Sequence, residues 1–271
     1  MRVSSLCEDT RREATRLSKY RILFLGDIVG KPGREAVLSS LPTLINKYDP
    51  TFVIVNGENS ASGVGITPSI ADSLFEAGVD AITLGNHAFN KREIYDYLDE
   101  GRPIIRPANM PGGTPGRGWC YVTVDRIKLA VINLCGRVYM DSYDDPFAGI
   151  NQILDQIDTP HIFLDFHGEA TSEKIAMGFH VEGRVSAVVG THTHVQTADE
   201  RILPGGTAYI TDVGMCGPWP SVLGMDKDVI LRRFRTTLPT RFEVAESPGV
   251  ICGVVIDVLS TTGRAVSIQR I

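Results

Sequence analysis

No apolar stretch of the sequence approaches the roughly 18 residues that a membrane-spanning helix requires. The first residues are charged and lack the long apolar core of a secretory signal. We therefore expect a cytoplasmic chain that makes no contact with a membrane.

Cysteine is scattered and positive charge is not in excess. The five cysteines are far apart, and none belongs to a Cys-x-x-Cys pair, so reduced thiols are the simplest interpretation. The net charge of −5 does not favour stable binding to a nucleic acid.

Two common catalytic motifs are absent. The sequence has no Gly-x-Ser-x-Gly elbow of a serine hydrolase. The stretch from Gly26 to Lys31 falls one residue short of a phosphate-binding P-loop, and Pro32 replaces the Ser or Thr of that motif. Internal repeats and low-complexity tracts are missing as well.

The domain organisation follows from composition and length. Residues 1–19 are crowded with charged and hydroxyl side chains, and we expect a flexible N-terminal extension without a function of its own. Residues 20–271 contain no convincing linker and are long enough for one large domain. We predict a single domain over residues 20–271.

From Tyr20 onward, apolar runs typical of buried strands alternate with amphipathic helical patterns, which predicts an α/β fold. Thr67 and Pro68 are expected to begin a helix. Asn90 and Glu93 resemble a capping box that would begin another. Strands are predicted at residues 21–25, 52–55, 81–84, 162–164 and 187–190, with a hairpin formed by 119–124 and 127–134.

Two histidines stand two residues apart after the apolar run that begins at Ala187. In extended backbone, side chains two apart point to the same side, so His192 and His194 can converge on one point. Two imidazoles at a strand end most often bind a metal. A polar loop that happens to carry two histidines is the alternative.

Polar side chains follow the ends of five predicted strands. Ligands bind at that edge of an open α/β sheet, so we expect these side chains to meet there. Individually, Asp27 could be a helix cap, Asn86 a turn residue and His167 a half-buried core group. Together they favour a shared metal site. The candidate donors are Asp27, Glu58, Asn59, Asn86, His87, His167, His192 and His194.

The number and type of donors indicate two ions. Two carboxylates, two amide oxygens and three or four imidazoles are too many for one tetrahedral zinc. Divided over two ions about 3.5–4 Å apart with a bridging carboxylate, they leave room for a water that attacks a clamped phosphate. Nitrogen and oxygen donors without thiolate suit iron or manganese, with zinc or cobalt as alternatives.

These motifs resemble those of the calcineurin-like metallophosphoesterases, and more closely the YmdB-like branch of bacterial phosphodiesterases. Position 29 is Val instead of the superfamily's His, and the bridging acid comes from Gly57-Glu58-Asn59, as in that branch. The resemblance spans residues 20–271 and implies layered β-sheets flanked by helices, with a dinuclear metal site at the C-terminal strand ends. It is carried by GDIVGKPGRE (26–35), NGEN (56–59), GNH (85–87), RPAN (106–109), DFHGEATSEK (165–174), THTHVQTAD (191–199) and AYITDVGM (208–215).

The resemblance also implies a role for each donor. His87 would be the catalytic proton donor to the leaving oxygen, a role that suits an imidazole near neutral pH. Residues 88–90 are Ala-Phe-Asn where relatives usually have Thr-Trp-Asp, which bears on substrate preference. Asp27, Glu58, Asn59 and His194 would hold one ion, and Glu58, Asn86, His167 and His192 the other, with Glu58 as the bridge.

The implied activity is metal-dependent hydrolysis of a phosphodiester, with 2',3'- or 3',5'-cyclic nucleotides as the implied substrates. A phosphomonoesterase or nucleotidase with the same metals is one alternative. A metal-binding regulatory protein with incidental turnover is another. The expected partner is a small-molecule phosphodiester, and a homo-oligomer is compatible with the sequence.

Overall fold

The structure is a computed structural model that describes residues 19–271. Residues 1–18, most of the predicted N-terminal extension, lie outside the described residues. Lys19, which was assigned to that extension, is the first residue of the first strand. The single-domain organisation of residues 20–271 stays a prediction.

Fifteen strands and six helices form within the described residues. The strands are β1 (Lys19–Leu25), β2 (Asp27–Ile28), β3 (Phe52–Asn56), β4 (Ala81–Thr83), β5 (Ile104–Ile105), β6 (Trp119–Val124), β7 (Ile127–Cys135), β8 (Ile162–His167), β9 (Ala187–Thr191), β10 (Arg201–Ile202), β11 (Ala208–Ile210), β12 (Met215–Pro218), β13 (Gly249–Val250), β14 (Gly253–Leu259) and β15 (Ala265–Arg270). The helices are α1 (Gly30–Tyr48), α2 (Pro68–Glu76), α3 (Ile94–Leu98), α4 (Pro146–Leu154), α5 (Thr171–His180) and α6 (Lys227–Thr236).

Two six-stranded sheets contain most of the strands. The first sheet has the order β15-β14-β1-β3-β4-β5, the second has the order β10-β11-β9-β8-β7-β6, and a small third sheet joins β13, β12 and β2. β1, β3 and β4 are parallel to one another, as are β7, β8, β9 and β11. The C-terminal ends of parallel neighbours lie at the same edge, so side chains that follow these strands are brought together.

The two large sheets pack against each other with helices outside. In β1, Ile22 and Phe24 belong to a core shared by both sheets, whereas Leu23 and Leu25 pack with residues of α1 and α2. This alternation follows from the two-residue period of a strand. The Phe24 ring lies 5.1 Å from the ring of Phe163 in the second sheet. The α/β fold with layered sheets flanked by helices is therefore confirmed.

The structure confirms one of two predicted helix starts and contradicts the other. Thr67 caps α2, and its hydroxyl accepts a hydrogen bond from the Ile70 backbone N–H. The capping box at Asn90 and Glu93 is wrong, because α3 begins only at Ile94 and Glu93 makes no side-chain cap. The Asn90 side chain instead contacts His87. A polar contact near the strand end thus replaces the local capping bond.

The hairpin expected from the middle of the sequence is confirmed. β6 and β7 pair antiparallel down to the closing pair of Val124 and Ile127. Asp125 and Arg126 form the turn with φ of 48° and 68°, the left-handed backbone that a two-residue hairpin turn requires.

The helices and the cysteines bear on two further expectations, the absence of a membrane-spanning helix and the presence of reduced thiols. No helix within residues 19–271 is both long enough and apolar enough to cross a membrane. Cys120, Cys135, Cys216 and Cys252 are free thiols, the first three of them buried. Cys7 lies outside the described residues.

Candidate metal centre

The candidate donors lie at the C-terminal ends of strands from both large sheets. Asp27 follows β1, His167 is the last residue of β8, and His192 follows β9. The carboxylate of Glu58 and the ring nitrogens of His167 and His192 lie within 4.8 Å of one another. These three residues form the candidate metal cluster.

The Nε2 atom of His167 is the centre of this cluster. It lies 3.0 Å from Glu58 Oε1, 2.9 Å from Asn86 Oδ1 and 3.1 Å from His192 Nδ1. A neutral imidazole nitrogen carries at most one hydrogen, so it cannot satisfy three such neighbours. A cation among these atoms would interact with all four lone-pair groups at once.

Two buried oxygens support the same interpretation. Asp27 Oδ1 and Asn59 Oδ1 have no hydrogen-bond partner among residues 19–271, although both side chains are buried. An unpaired buried polar atom is costly and needs an explanation such as an ion. Gly85 keeps the centre open, because a Cβ there would lie 2.4 Å from Glu58 Oε2 and 2.5 Å from His167 Nε2. The donor set therefore fits a metal.

Burial and charge shift the pKa of four groups at the centre. Burial raises the pKa of Asp27 to about 6. Burial alone would raise the pKa of Glu58, but the neighbouring His167 holds it well below its usual range. Burial alone would lower the pKa of His167, but Glu58 and Asp27 raise it to about 9. Burial, with His167 nearby, lowers the pKa of His192 to about 3. Without metal, an ion pair between Glu58 and His167 therefore lies beside a neutral His192.

A chain of hydrogen bonds orients the His167 ring. Its Nδ1 lies 2.8 Å from the Thr191 hydroxyl oxygen, and that hydroxyl donates to Asp165 Oδ1 at 2.7 Å. The single hydroxyl hydrogen is used on Asp165, so the His167 Nδ1–H donates to Thr191. This arrangement directs Nε2 at the candidate cluster, as outer-shell partners of metal-binding histidines commonly do.

The two histidines of the His-x-His stretch are brought to the site in a different way from the one expected. The prediction assumed extended backbone, but φ is 98° at His192 and 64° at His194. His192 Nε2 lies 3.1 Å from Glu169 Oε2, which leaves Nδ1 for the cluster. His194 Nδ1 donates to the Leu223 carbonyl oxygen at 3.0 Å, and its ring interacts electrostatically with Asp27. A turn, and not a strand, directs these imidazoles.

The two remaining candidates lie beside the cluster. Asn59 directly follows Glu58, and its Nδ2 donates to the Gly63 carbonyl oxygen at 3.1 Å while Oδ1 stays unpaired. The His87 backbone N–H donates to Glu58 Oε2 at 3.0 Å. His87 Nδ1 lies 3.3 Å from Asn90 Oδ1, so the side chain of His87 is turned towards Asn90. The ligand and catalytic roles of all eight residues stay predictions.

Several supporting residues received no role in the sequence analysis. Asp165 is a buried carboxylate that also accepts hydrogen bonds from Asn56 and Thr83. A charged residue inside the apolar run of β8 was the available signal for it. Lys174 and Asp212 form a second buried group, and their partnership spans 38 positions of sequence, so no local pattern indicates it.

Comparisons with known proteins identify the family of the chain. A model of the YmdB-like protein family matches residues 23–271. A 2',3'-cyclic-nucleotide 2'-phosphodiesterase of Bacillus subtilis (strain 168) is 55% identical over 253 residues, which cover 93% of this chain and 96% of the relative.

Two solved structures share the fold over nearly their whole length. One, described as a novel phosphatase from Mycoplasma pneumoniae, has a TM-score of 0.89 and 35% identity, covering 94% of this chain and 93% of that chain. The other, a hypothetical protein from Thermus thermophilus, has a TM-score of 0.88 and 41% identity, covering 93% and 98%. The resemblance found in the sequence motifs is confirmed: the chain belongs to the YmdB-like protein family.

Proposed function

We propose that the protein is a dinuclear metal-dependent phosphodiesterase that hydrolyses 2',3'-cyclic nucleotides. Relatives over nearly the full chain are named as a phosphodiesterase and a phosphatase, so the protein is a hydrolase of phosphoesters. The observation that carries the finer proposal is the convergence of Glu58, Asn86 and His192 on Nε2 of His167. The 2',3'-cyclic substrate is taken from the name of the Bacillus subtilis relative.

The proposed division of ligands between two ions is the one that the resemblance to the YmdB-like family implies. Asp27, Glu58, Asn59 and His194 would hold one ion. Glu58, Asn86, His167 and His192 would hold the other, with Glu58 shared. Two bound divalent ions would supply the Lewis-acid charge that lowers the pKa of a water and neutralises a phosphate.

The protein's own groups prepare the site for this chemistry. The buried Glu58 carboxylate is fixed by the His87 backbone N–H, and the Glu58 N–H donates to Asn56 Oδ1 at 3.1 Å. The Thr191 hydroxyl holds the His167 ring in one orientation. Donors with fixed positions lose little entropy when substrate binds, and the dry surroundings strengthen their electrostatic effect.

His87 is the proposed proton donor. Its Nδ1 faces the Asn90 amide oxygen, which accepts a hydrogen bond, so Nε2 is available to carry the transferred proton. In a 2',3'-cyclic substrate, cleavage of the ester to O2' leaves an alkoxide that His87 would protonate. The product of that cleavage is a nucleoside 3'-monophosphate.

Elemental analysis followed by a substrate panel tests the proposal. We expect two ions per chain and faster turnover of 2',3'-cyclic nucleotides than of 3',5'-cyclic nucleotides, bis-aryl diesters or monoesters. Preference for monoesters would establish the alternative phosphatase or nucleotidase activity, which the description of the Mycoplasma pneumoniae structure favours. Bound metal without turnover of any ester would establish a regulatory protein. A cytoplasmic location and the oligomeric state stay predictions.

A further inference from the structure

A buried ion pair lies beside the candidate metal centre and contributes none of its donors. Lys174 Nζ, on α5, lies 2.7 Å from Asp212 Oδ2, which follows β11. The side chains are only 1% and 0% exposed. Burying two charges costs about as much free energy as their attraction returns, so stability alone does not explain the pair.

The Asp212 carboxylate binds the loop that carries the two histidines. Besides Lys174, its Oδ2 accepts hydrogen bonds from the Thr193 backbone N–H at 3.1 Å and the Thr193 hydroxyl at 2.7 Å. Its Oδ1 accepts from the Gly214 N–H at 2.8 Å. Two of the four donors thus belong to Thr193, the residue between the two candidate ligands.

This loop needs a restraint from outside. His192 and His194 have φ of 98° and 64°, a region that residues with a side chain disfavour and that surrounding structure must impose. Thr193 is held between them through both its backbone and its hydroxyl. The Asp212 carboxylate therefore binds the residue between the two residues with unfavourable backbone angles.

Asp212 also lies between the chain that follows the histidine loop and the small third sheet that contains Asp27. The Asp212 backbone exchanges hydrogen bonds with Thr197, whose N–H donates to the Asp212 carbonyl oxygen and whose hydroxyl accepts from the Asp212 N–H. Three residues later, Met215 pairs in register with Asp27. Asp212 thus lies between the loop that carries the two imidazoles and the strand pair that contains the Asp27 carboxylate.

Lys174 fixes the position of Asp212 from the opposite side. A Cβ at Gly190 would lie 3.0 Å from Lys174 Cδ, so the lysine side chain passes directly over the end of β9. Its helix, α5, begins four residues after His167. The ion pair therefore joins the segment that follows His167 to the segment that precedes β12.

We propose that Lys174 and Asp212 are positioning residues whose ion pair sets the conformation of the loop at residues 192–194, so that both imidazoles reach the metal centre. The inference rests on the proposed metal-dependent function. An apolar replacement of the buried pair distinguishes a role in orienting ligands from a role in stability. It retains the packing but cannot bind Thr193.

Four variants test this role: Asp212→Asn, Lys174→Met, the double variant Lys174→Met/Asp212→Leu, and Lys128→Met as control. Lys128, near the start of β7, pairs with Asp158 at 2.6 Å, and both side chains are exposed. Three measurements are made on metal-free protein: the Kd for Mn²⁺ by calorimetry, the thermal midpoint, and the hydrogen exchange of peptides covering residues 191–197.

Asp212→Asn is expected to weaken Mn²⁺ binding by about 10- to 100-fold, the usual effect of losing an outer-shell partner. It should also accelerate exchange at residues 191–197. The double variant should regain most of the lost thermal midpoint but keep the weak Mn²⁺ binding and the fast exchange. Lys128→Met should match the wild type in all three measurements.

Wild-type Mn²⁺ affinity and slow exchange in the double variant would overturn the inference, because the pair would then serve stability alone. If Asp212→Asn does not fold, Lys174→Met and the double variant decide the question by the same criteria. A wild-type protein that binds no metal would reject the proposed function instead. The exchange of residues 191–197 would still show whether the pair sets the loop.

Discussion

The two large sheets supply different halves of the candidate metal centre. The strands of the first sheet lead to oxygen donors, and the strands of the second lead to imidazoles. The oxygen side comprises Asp27, Glu58, Asn59 and Asn86, and the nitrogen side comprises His167, His192 and His194.

The two sides also differ in how their polar atoms are paired. Asp27 and Asn59 are buried, and each keeps one oxygen without a hydrogen-bond partner among the described residues. The imidazoles have their second ring nitrogen occupied, as when His167 Nδ1 faces Thr191 and His194 Nδ1 donates to Leu223. The oxygen side thus keeps oxygen atoms without a hydrogen-bond donor, whereas hydrogen bonds occupy one ring nitrogen of these imidazoles on the nitrogen side. Both arrangements leave donor lone pairs available at the candidate metal centre.

The largest effect is expected from the oxygen side. Glu58→Gln removes the charge proposed to serve both ions and should lower Mn²⁺ affinity by more than about 100-fold, the upper limit for an outer-shell partner. Metal content after dialysis measures this loss. Asp257→Asn, which breaks a pair with Arg21 in the same sheet, is the control and should change affinity less than about twofold. Two tightly held ions in Glu58→Gln would show that the carboxylate does not bridge.

His87 is an imidazole that lies beside the oxygen donors, so its replacement tests whether an imidazole there acts in catalysis and not in metal binding. His87→Ala should retain both metals and lose about 10²–10⁴ in kcat, the usual value of a positioned general acid. The loss should shrink for a nitrophenyl ester, whose leaving group needs little protonation. Asn90→Ala, which removes only the partner of Nδ1, should have a smaller effect. Equal losses on good and poor leaving groups would instead indicate a group that orients the phosphate.

The imidazoles of the nitrogen side should make the affinity for metal depend on pH. In metal-free protein the pKa of His167 is raised to about 9, so a metal must displace a proton at neutral pH. Mn²⁺ affinity should therefore rise as the pH increases from 7 to 9, by up to about tenfold per unit for each displaced proton. Calorimetry in two buffers of different ionisation enthalpy counts the released protons. Affinity that stays constant over this range would mean that His167 is neutral before metal binds.

The smallest effect is expected from deleting residues that contribute no donor to either side. Deleting residues 1–18 leaves the strand that begins at Lys19 and every candidate donor intact. Metal content and kcat should match those of the full chain. A several-fold decrease in kcat with an unchanged thermal midpoint would assign these residues a role in catalysis.

Strand ends were predictable and the conformation that follows them was not. The apolar runs before Asp27 and His167 locate β1 and β8, and the two-residue period of β1 separates the inner core from the outer one. The left-handed residues His192 and His194 lie in a loop whose hydrogen-bond partners, Asp212 and Leu223, are distant in sequence. Local preference opposes that backbone, so no local pattern could have indicated it.

Chain order has a consequence for synthesis on the ribosome. The last candidate donor is His194, yet β1 pairs with β14 and β2 pairs with β12, strands that begin only at Gly253 and Met215. A nascent chain that has emerged as far as β11 carries all the candidate donors but not the strands that pair with β1 and β2 beside Asp27. Domains fold as units once their sequence is complete. The candidate site is therefore assembled only after β12 and β14 have been synthesised.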